Sequence, residues 1–243
     1  MLRYLASILK SNLFQFVLFA VTVAAAGYFY SKNIINAGNP VFSVKKIVFD
    51  GNEKVPDILL LKTSGLRYKS NILKVSIEDV KNKLENVAWI KSAVVQRILP
   101  NTIYVRVAER IPIAILQSKY KLYLVDADGM VLENDGIGDF SNLPIVVGEG
   151  ASKEAANFLW QLEKFPKIRK QLVFAVRIGN RRWNIKINRG ITVKLPEKEL
   201  RYAFSVLDEI SNSDGFFNDD IEEIDLRIPD RVILTKKGEG HGN

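Results

Sequence analysis

The sequence contains no cysteine and only one histidine, His241, in its polar carboxyl-terminal tail. Without disulfides the folded state depends on its hydrophobic cores alone and is indifferent to the redox state of its compartment. Cysteine–histidine zinc sites, cysteine nucleophiles and catalytic sites built on an oriented histidine are excluded. No P-loop, G-x-G-x-x-G or G-x-S-x-G motif occurs. We therefore predict no enzyme, no cofactor and no metal site.

Long runs of a single charge are also lacking, although the net charge is +8. Lysine and arginine occur in short groups such as Lys167-Arg169-Lys170, and no zinc-finger or RNP motif accompanies them. This pattern favours a solvated basic surface, attracted at most to anionic lipid headgroups, over a nucleic-acid site. Four acidic residues near the end are typical of a solvated loop. They are Asp219, Asp220, Glu222 and Glu223.

Charge of either sign is absent from Leu13–Tyr30, which is the longest apolar stretch. As a helix rising 1.5 Å per residue, it spans roughly 27 Å, at the short end of what crosses a bilayer. Arg3 and Lys10 precede it, so the positive-inside rule places residues 1–12 in the cytoplasm. We predict a transmembrane helix over residues 13–30. The alternative is a cleavable secretory signal that ends near Ala24-Ala25-Ala26, and it would export the same part of the chain.

Residues 31–41 contain glycine, proline and asparagine with little periodicity, and we interpret them as a linker. Strand, helix, helix, strand and strand patterns follow over residues 42–110. Ser76 and Asp79 form a capping box for a helix over Ile77–Asn86, and Leu99–Thr102 turns the chain between two antiparallel strands. This β-α-α-β-β order predicts a compact α+β module with two helices on one face of a small sheet.

Short strand patterns dominate residues 111–237, and they predict a strand-rich β domain. Two helices interrupt the strands, one capped by Ser152 and stopped before Pro166, the other over residues 196–211. The last two predicted strands are Ile221–Ile228 and Arg231–Thr235. Residues 238–243 are predicted to form a disordered tail.

The order of these parts resembles the FtsQ/DivIB family of bacterial division proteins, and the β-α-α-β-β module resembles a POTRA domain. The resemblance extends from the anchor to about Lys237 and rests on the order and spacing of its pieces. These pieces are FSVKKIVFDGN (42–52), AWIKSA (88–93), RILPNTI (97–103), VAERIPIA (107–114), LVDADGMV (124–131), LPIVVG (143–148), RWNI (182–185) and IDLR (224–227).

The resemblance implies a non-enzymatic bitopic scaffold of the divisome that recruits and links division proteins at the septum. Members bind coiled-coil bitopic proteins of the FtsB and FtsL type through the distal domain, while the POTRA module helps recruitment. The implied location is the bacterial inner membrane at the division site, with the amino terminus cytoplasmic and the other domains periplasmic. Other divisome components are implied as partners; nucleic acid and small-molecule substrates are not.

The last strand offers a specific binding hypothesis, because an exposed sheet edge is a template for a partner's strand. We predict strand addition beside Arg231–Thr235, with the helix residues before it as a flank; an ordinary hairpin return is the alternative for this strand. The candidate partner-binding residues are Arg201, Tyr202, Ser205, Ile228, Arg231, Val232, Ile233, Leu234 and Thr235.

Two other functions are compatible with the same sequence features. A POTRA-containing assembly or transport factor would chaperone exported polypeptides, but such factors tend to carry several modules or a membrane barrel. A membrane-bound cell-wall hydrolase would depend on the acidic group around Asp219 and Glu223.

Overall fold

A computed structural model describes residues 2–36, 40–132, 137–212 and 221–238. Helix α1 (Leu2–Asn36) contains the predicted membrane helix and continues into the predicted linker. Within the described residues, no helix is both long enough and apolar enough to cross a membrane, so that span stays a prediction. The chain forms two compact units that divide between Glu109 and Arg110.

The first unit has the β-α-α-β-β order that the sequence predicts. After a short 3-10 turn at Pro40–Phe42 come β1 (Lys46–Asp50), α2 (Asp57–Ser64), a 3-10 turn at Ile72–Lys74, α3 (Ile77–Glu85), β2 (Ile90–Ile98) and β3 (Thr102–Glu109). Strand β3 is central, parallel to β1 and antiparallel to β2.

Local sequence signals account for the helices of this unit. Helix α2 ends at Ser64 and is capped by Gly65, which has a φ of 70°, a left-handed conformation that glycine adopts readily. The Ser76 hydroxyl accepts a hydrogen bond from the Asp79 N–H at 3.2 Å, as the predicted cap of α3 requires. Val80 and Leu84 of α3 are buried against the sheet. These two residues form the buried face of the helix.

Within the described residues, the second unit is a nine-stranded mixed sheet with three helices. Its elements are β4 (Pro112–Ser118), β5 (Lys121–Asp126), β6 (Val131–Leu132), β7 (Ile145–Val147), α4 (Ala151–Leu162), α5 (Pro166–Gln171), β8 (Leu172–Ile178), β9 (Arg182–Ile187), β10 (Thr192–Lys194), α6 (Leu200–Ser211), β11 (Ile221–Asp225) and β12 (Ile233–Lys236); 3-10 turns occupy Ile137–Phe140 and Asn188–Gly190.

The strand order across this sheet is β12-β11-β10-β9-β8-β7-β4-β5-β6. Strands β4, β7 and β8 are mutually parallel neighbours, and β10 is parallel to β11. Helices lie in two of these crossovers, since α4 and α5 connect β7 to β8 and α6 lies between β10 and β11. Phe158 of α4 and Phe204 of α6 are buried, and the Phe158 ring lies 4.7 Å from that of Trp183 on β9.

Several elements of this unit differ from the sequence-based prediction. Helix α5 was not predicted, because Pro166 looks like a stop but here begins a new helix, whose first turn needs no proline N–H. Helix α6 begins at Leu200 rather than Pro196, after Glu199 with a φ of 60°. The strand predicted over Ile221–Ile228 ends at Asp225.

Candidate partner-binding edge

Strand β12 is the terminal strand of the nine-stranded sheet. It pairs antiparallel with β11, with Ile233 opposite Asp225 and Leu234 opposite Ile224. Within the described ranges, no strand pairs with its other side. The backbone along that side therefore presents the unpaired N–H and C=O groups of a sheet edge.

The prediction that this strand covers Arg231–Thr235 is wrong by two residues at its start. Arg231 and Val232 lie in the loop before β12, which begins at Ile233. Asp230 has a φ of 59°, and the Arg231 N–H donates to the Ile228 carbonyl at 3.3 Å. This tight turn over Ile228–Arg231 delays pairing with β11, so only Ile233, Leu234 and Thr235 of the predicted set lie in the edge strand.

Apolar side chains are exposed along the turn and the strand. Ile228, Val232, Ile233 and Leu234 each keep between 41% and 48% of their surface accessible. Thr235 is half-buried and Arg231 is exposed. A bound strand would remove this apolar surface from water, which is the main favourable term in most associations.

The three predicted flanking residues on α6 have different roles. Tyr202 donates a hydrogen bond from its hydroxyl to the Asp230 carboxylate at 2.8 Å, which attaches α6 to the turn before β12. That hydrogen bond to Asp230 raises the pKa of Tyr202 above its ordinary value. The Arg201 guanidinium lies 4.5 Å from the centre of the Trp160 ring on α4. Ser205 donates to the carbonyl of Tyr202 in its own helix. Of the three, only Tyr202 contacts the edge region directly through a hydrogen bond.

A small cavity of about 170 Å³ separates α6 from the turn. Several of its apolar lining residues, among them Val206 and Leu226, are not in the set predicted from the sequence. The sequence does indicate both positions: Val206 lies three residues after Ala203, on the same face of α6, and Leu226 directly follows β11. The apolar part of the lining includes Pro196, Ala203, Val206, Leu226, Ile228 and Val232.

Ion pairs neutralise two carboxylates of β11 beside the edge, Glu223 and Asp225. Arg227 holds Asp225 through both guanidinium and backbone donors at 2.6–3.0 Å, and its hydrogen bonds lower the pKa of Asp225. Glu223 pairs with Lys194 of β10 at 2.6 Å. Glu222 also lies in this strand, whereas Asp219, Asp220 and His241 fall outside the described residues. In the part of the chain that the structure describes, no three metal-ligating side chains converge.

Fold and edge together define a class of protein, a POTRA-type module followed by a mixed-sheet domain in which β12 is a terminal strand. Two family profiles match the chain. The POTRA domain of FtsQ type matches residues 42–110, and the carboxyl-terminal domain of cell division protein FtsQ/DivIB matches residues 114–227. The second match ends at Arg227, before β12 begins.

Individual relatives agree with these profiles. Cell division protein FtsQ of Rickettsia typhi is 34% identical over 195 residues, which cover 80% of this chain and 73% of that protein. The protein of the same name from Rickettsia felis is 33% identical over 232 residues, covering 94% and 86%. That from Bradyrhizobium diazoefficiens is 30% identical over 198 residues, covering 82% and 58%. The chain belongs to the FtsQ/DivIB family of cell division proteins, which confirms the resemblance seen in the sequence.

Proposed function

We propose that the chain is a non-enzymatic scaffold of the bacterial divisome that binds FtsB- or FtsL-type coiled-coil proteins by strand addition along β12. The observation that carries this proposal is the terminal position of β12 in a chain of this family. Backbone hydrogen bonds to the open side of the strand would give affinity. The exposed side chains of Ile233 and Leu234 would select the partner.

The turn before β12 favours this use of the edge. Asp230 accepts from Tyr202, so the turn is attached to α6 before any partner arrives. Rigid presentation of a binding segment lowers the ordering cost of association. Lys236 is exposed at the end of the strand, where it discourages pairing with unrelated edges and attracts an acidic partner segment.

Membrane attachment through residues 13–30 is part of the proposal. This stretch has no charged residue, and several of its side chains, among them Phe16, Phe19 and Phe29, are more than 60% exposed. An apolar surface of that extent is unfavourable in water, and the hydrocarbon core of a bilayer would bury it. With residues 1–12 cytoplasmic, the POTRA-type module (42–110) and the strand-rich domain (111–237) are periplasmic and are delivered to the division site in the inner membrane.

Photo-crosslinking in bacterial membranes tests the contact at the edge. A photoreactive amino acid replaces Leu234 of β12 in the full-length chain, co-expressed with epitope-tagged FtsB- and FtsL-type proteins. The matched control replaces Val131 of β6, the terminal strand at the opposite end of the same sheet, where 37% of the side chain is exposed. We expect a crosslink from position 234 and none from position 131. Equal crosslinking from positions 234 and 131 would refute specific binding of the partner at the β12 edge.

Two proline substitutions separate strand addition from a side-chain contact. Consecutive N–H groups of a strand point to opposite sides, so one of Leu234→Pro and Thr235→Pro removes a donor from the open side and the other removes one from the ladder with β11. The variant that keeps its thermal stability is the one altered on the open side. We expect it to weaken partner capture by about tenfold or more. Unchanged capture by that stable variant would contradict strand addition.

The absence of cysteine permits a clean test of topology. Single-cysteine variants Ser7→Cys and Lys198→Cys are treated in spheroplasts with a maleimide that does not cross membranes. We expect labelling at position 198 only, until the membrane is opened with detergent. Labelling of both positions in intact spheroplasts would contradict the proposed orientation.

A further inference from the structure

Helix α5 carries a concentration of positive charge that the edge at β12 does not use. Its six residues, Pro166–Gln171, include Lys167, Arg169 and Lys170 and no acidic residue. Lys167 donates to the side chain of Asn212. Arg169 and Lys170 are exposed and form no ion pair within the described ranges. Two adjacent cations are therefore available to an external anion.

An open groove of about 560 Å³ lies beside these two cations. One wall is the segment before and at the start of β7, and the other is α5 with the first residues of β8. The apolar surface of the groove comes from Leu143, Pro144, Ile145, Pro166, Leu172 and Val173. Val173 keeps 45% of its surface accessible although it lies within a central strand. The groove thus combines apolar walls with a basic rim.

Hydrogen bonds and packing hold both walls in place. The Leu143 N–H donates to Phe140 O at 2.9 Å, and the Ile115 N–H donates to Pro144 O at 2.9 Å, which attaches the first wall to β4. On the opposite wall Ile168 is 2% exposed and anchors α5 in the core. A preformed groove loses little entropy on binding.

The groove is separate from the open edge at β12. Strands β9, β10 and β11 lie between β8 and β12. At about 4.8 Å per strand, the two places are roughly 19 Å apart across the sheet. A strand added at the edge would leave the groove accessible, so this domain has room for two contacts at once.

We propose that this groove binds a peptide segment of a partner in which a large apolar side chain is flanked by acidic residues. The apolar walls accept the side chain, and Arg169 and Lys170 attract the flanking carboxylates. A concave site suits an inserted side chain better than the flat surface of a bilayer. No aromatic side chain lines the groove for base stacking, so a nucleic acid is disfavoured. The inference does not depend on strand addition at β12.

Methyl NMR of the full-length chain in nonionic detergent tests the proposal. Methyl groups of Leu143, Ile145, Leu172 and Val173 report on the groove, and those of Leu234 report on the remote edge. The probe is a synthetic nine-residue peptide with leucine and phenylalanine at its centre and aspartate and glutamate on both sides. Control peptides replace the acidic residues by lysine, or the central apolar pair by serine. Vesicles of phosphatidylglycerol and phosphatidylcholine are a separate arm.

We expect the acidic–apolar peptide to shift the groove methyls and leave Leu234 unchanged. Arg169→Glu with Lys170→Glu should weaken this binding by about tenfold. The matched control is Lys119→Glu in the exposed β4–β5 turn together with Lys121→Glu at the exposed start of β5; it makes the same charge change and should leave the binding unaltered. The stable proline variant of β12 should also bind the peptide normally, which separates this site from the edge.

Three results would overturn the proposal. Equal binding of the serine-centred peptide would mean that charge alone acts and the groove is unused. An equal loss in the Lys119→Glu/Lys121→Glu variant would mean that net charge, not the groove rim, governs binding. Groove shifts with anionic vesicles but with no peptide would assign the surface to lipid headgroups.

Discussion

Glu109 and Arg110 are neighbours of opposite charge, and each is bound within its own compact unit. The Glu109 carboxylate accepts from the backbone N–H groups of Lys54 and Val55 at 2.7–3.0 Å. Arg110 instead donates to the carboxylates of Asp126 at 2.6 Å and Asp128 at 3.0 Å. The last residue of the first unit is thus held by hydrogen bonds from backbone N–H groups to its carboxylate. The first residue of the second unit is held by a largely buried ion pair with Asp126.

The same contrast extends to the sheets. The first unit is a three-stranded sheet built from elements that are close in sequence, whereas the second joins nine strands in an order that departs from the sequence. A change in one unit should therefore leave the other intact. Substitutions confined to one unit test that independence. Hydrogen exchange on the full-length chain, resolved by peptide, measures the protection of both units in the same experiment.

The largest effects are expected at one glycine in each unit. A Cβ at Gly51 would lie 2.2 Å from the carbonyl oxygen of Val107, and one at Gly148 would lie 2.4 Å from that of Arg177; both glycines have positive φ. Gly51→Ala and Gly148→Ala should each destabilise their own unit by about 3 kcal/mol or more. Gly138→Ala, with open space around its Cβ, is the control. Loss of protection in both units from either substitution would disprove their independence.

Intermediate effects are expected at the two neighbouring charges. Arg110→Gln leaves the buried Asp126 carboxylate without its cation and should cost the second unit about 2–3 kcal/mol. Glu109→Gln keeps an oxygen acceptor for the Lys54 and Val55 donors, so the first unit should lose only about 1 kcal/mol. Denaturant unfolding of the two variants measures the difference. Equal losses would show that the buried pair has no special role.

The smallest effect concerns acid stability. Hydrogen bonds from Arg227 lower the pKa of the buried Asp225, and those from Tyr104 and Arg106 lower the pKa of Asp50, whose side chain is 45% accessible. A carboxyl whose pKa is lower in the folded state stabilises the fold above its unfolded pKa of about 3.9, and that stabilisation is lost as the pH falls through the folded value.

We therefore expect Asp225→Asn to flatten the pH dependence of the second unit below about pH 4, by less than about 1 kcal/mol. Asp50→Asn should change the first unit less, since solvent screens this more accessible carboxylate. Acid titration followed by hydrogen exchange compares the two variants. A larger effect at Asp50 would contradict the role given to burial.

The sequence predicted the first unit more completely than the second, for a physical reason. Ser76 caps α3 and Gly65 ends α2 through contacts with residues a few positions away, and such contacts are visible in a sequence. In the second unit, the sequence around Pro166 is compatible either with the end of one helix or with the first turn of another. The structure has the first turn of α5 there, because Ile168 packs into the core, and no local sequence pattern indicates that packing.

The candidate edge was predicted in part. The sequence indicated a last strand with one side unpaired, and β12 is terminal in the sheet. The start of that strand was misplaced because the turn at Asp230 and its bond to Tyr202 depend on α6, 28 residues earlier. The groove beside α5 was not predicted at all, since its two walls come from separate segments.

By itself the sequence determined the identity and order of most elements, the family and the absence of cysteine chemistry. Those properties follow from periodicity, caps and motifs that act over a few residues. Only the tertiary structure decided that β12 ends a sheet whose centre is formed by parallel β4, β7 and β8, and that Arg169 and Lys170 border an apolar groove. Strand order and cavities depend on packing between distant segments, and local patterns do not encode that packing uniquely.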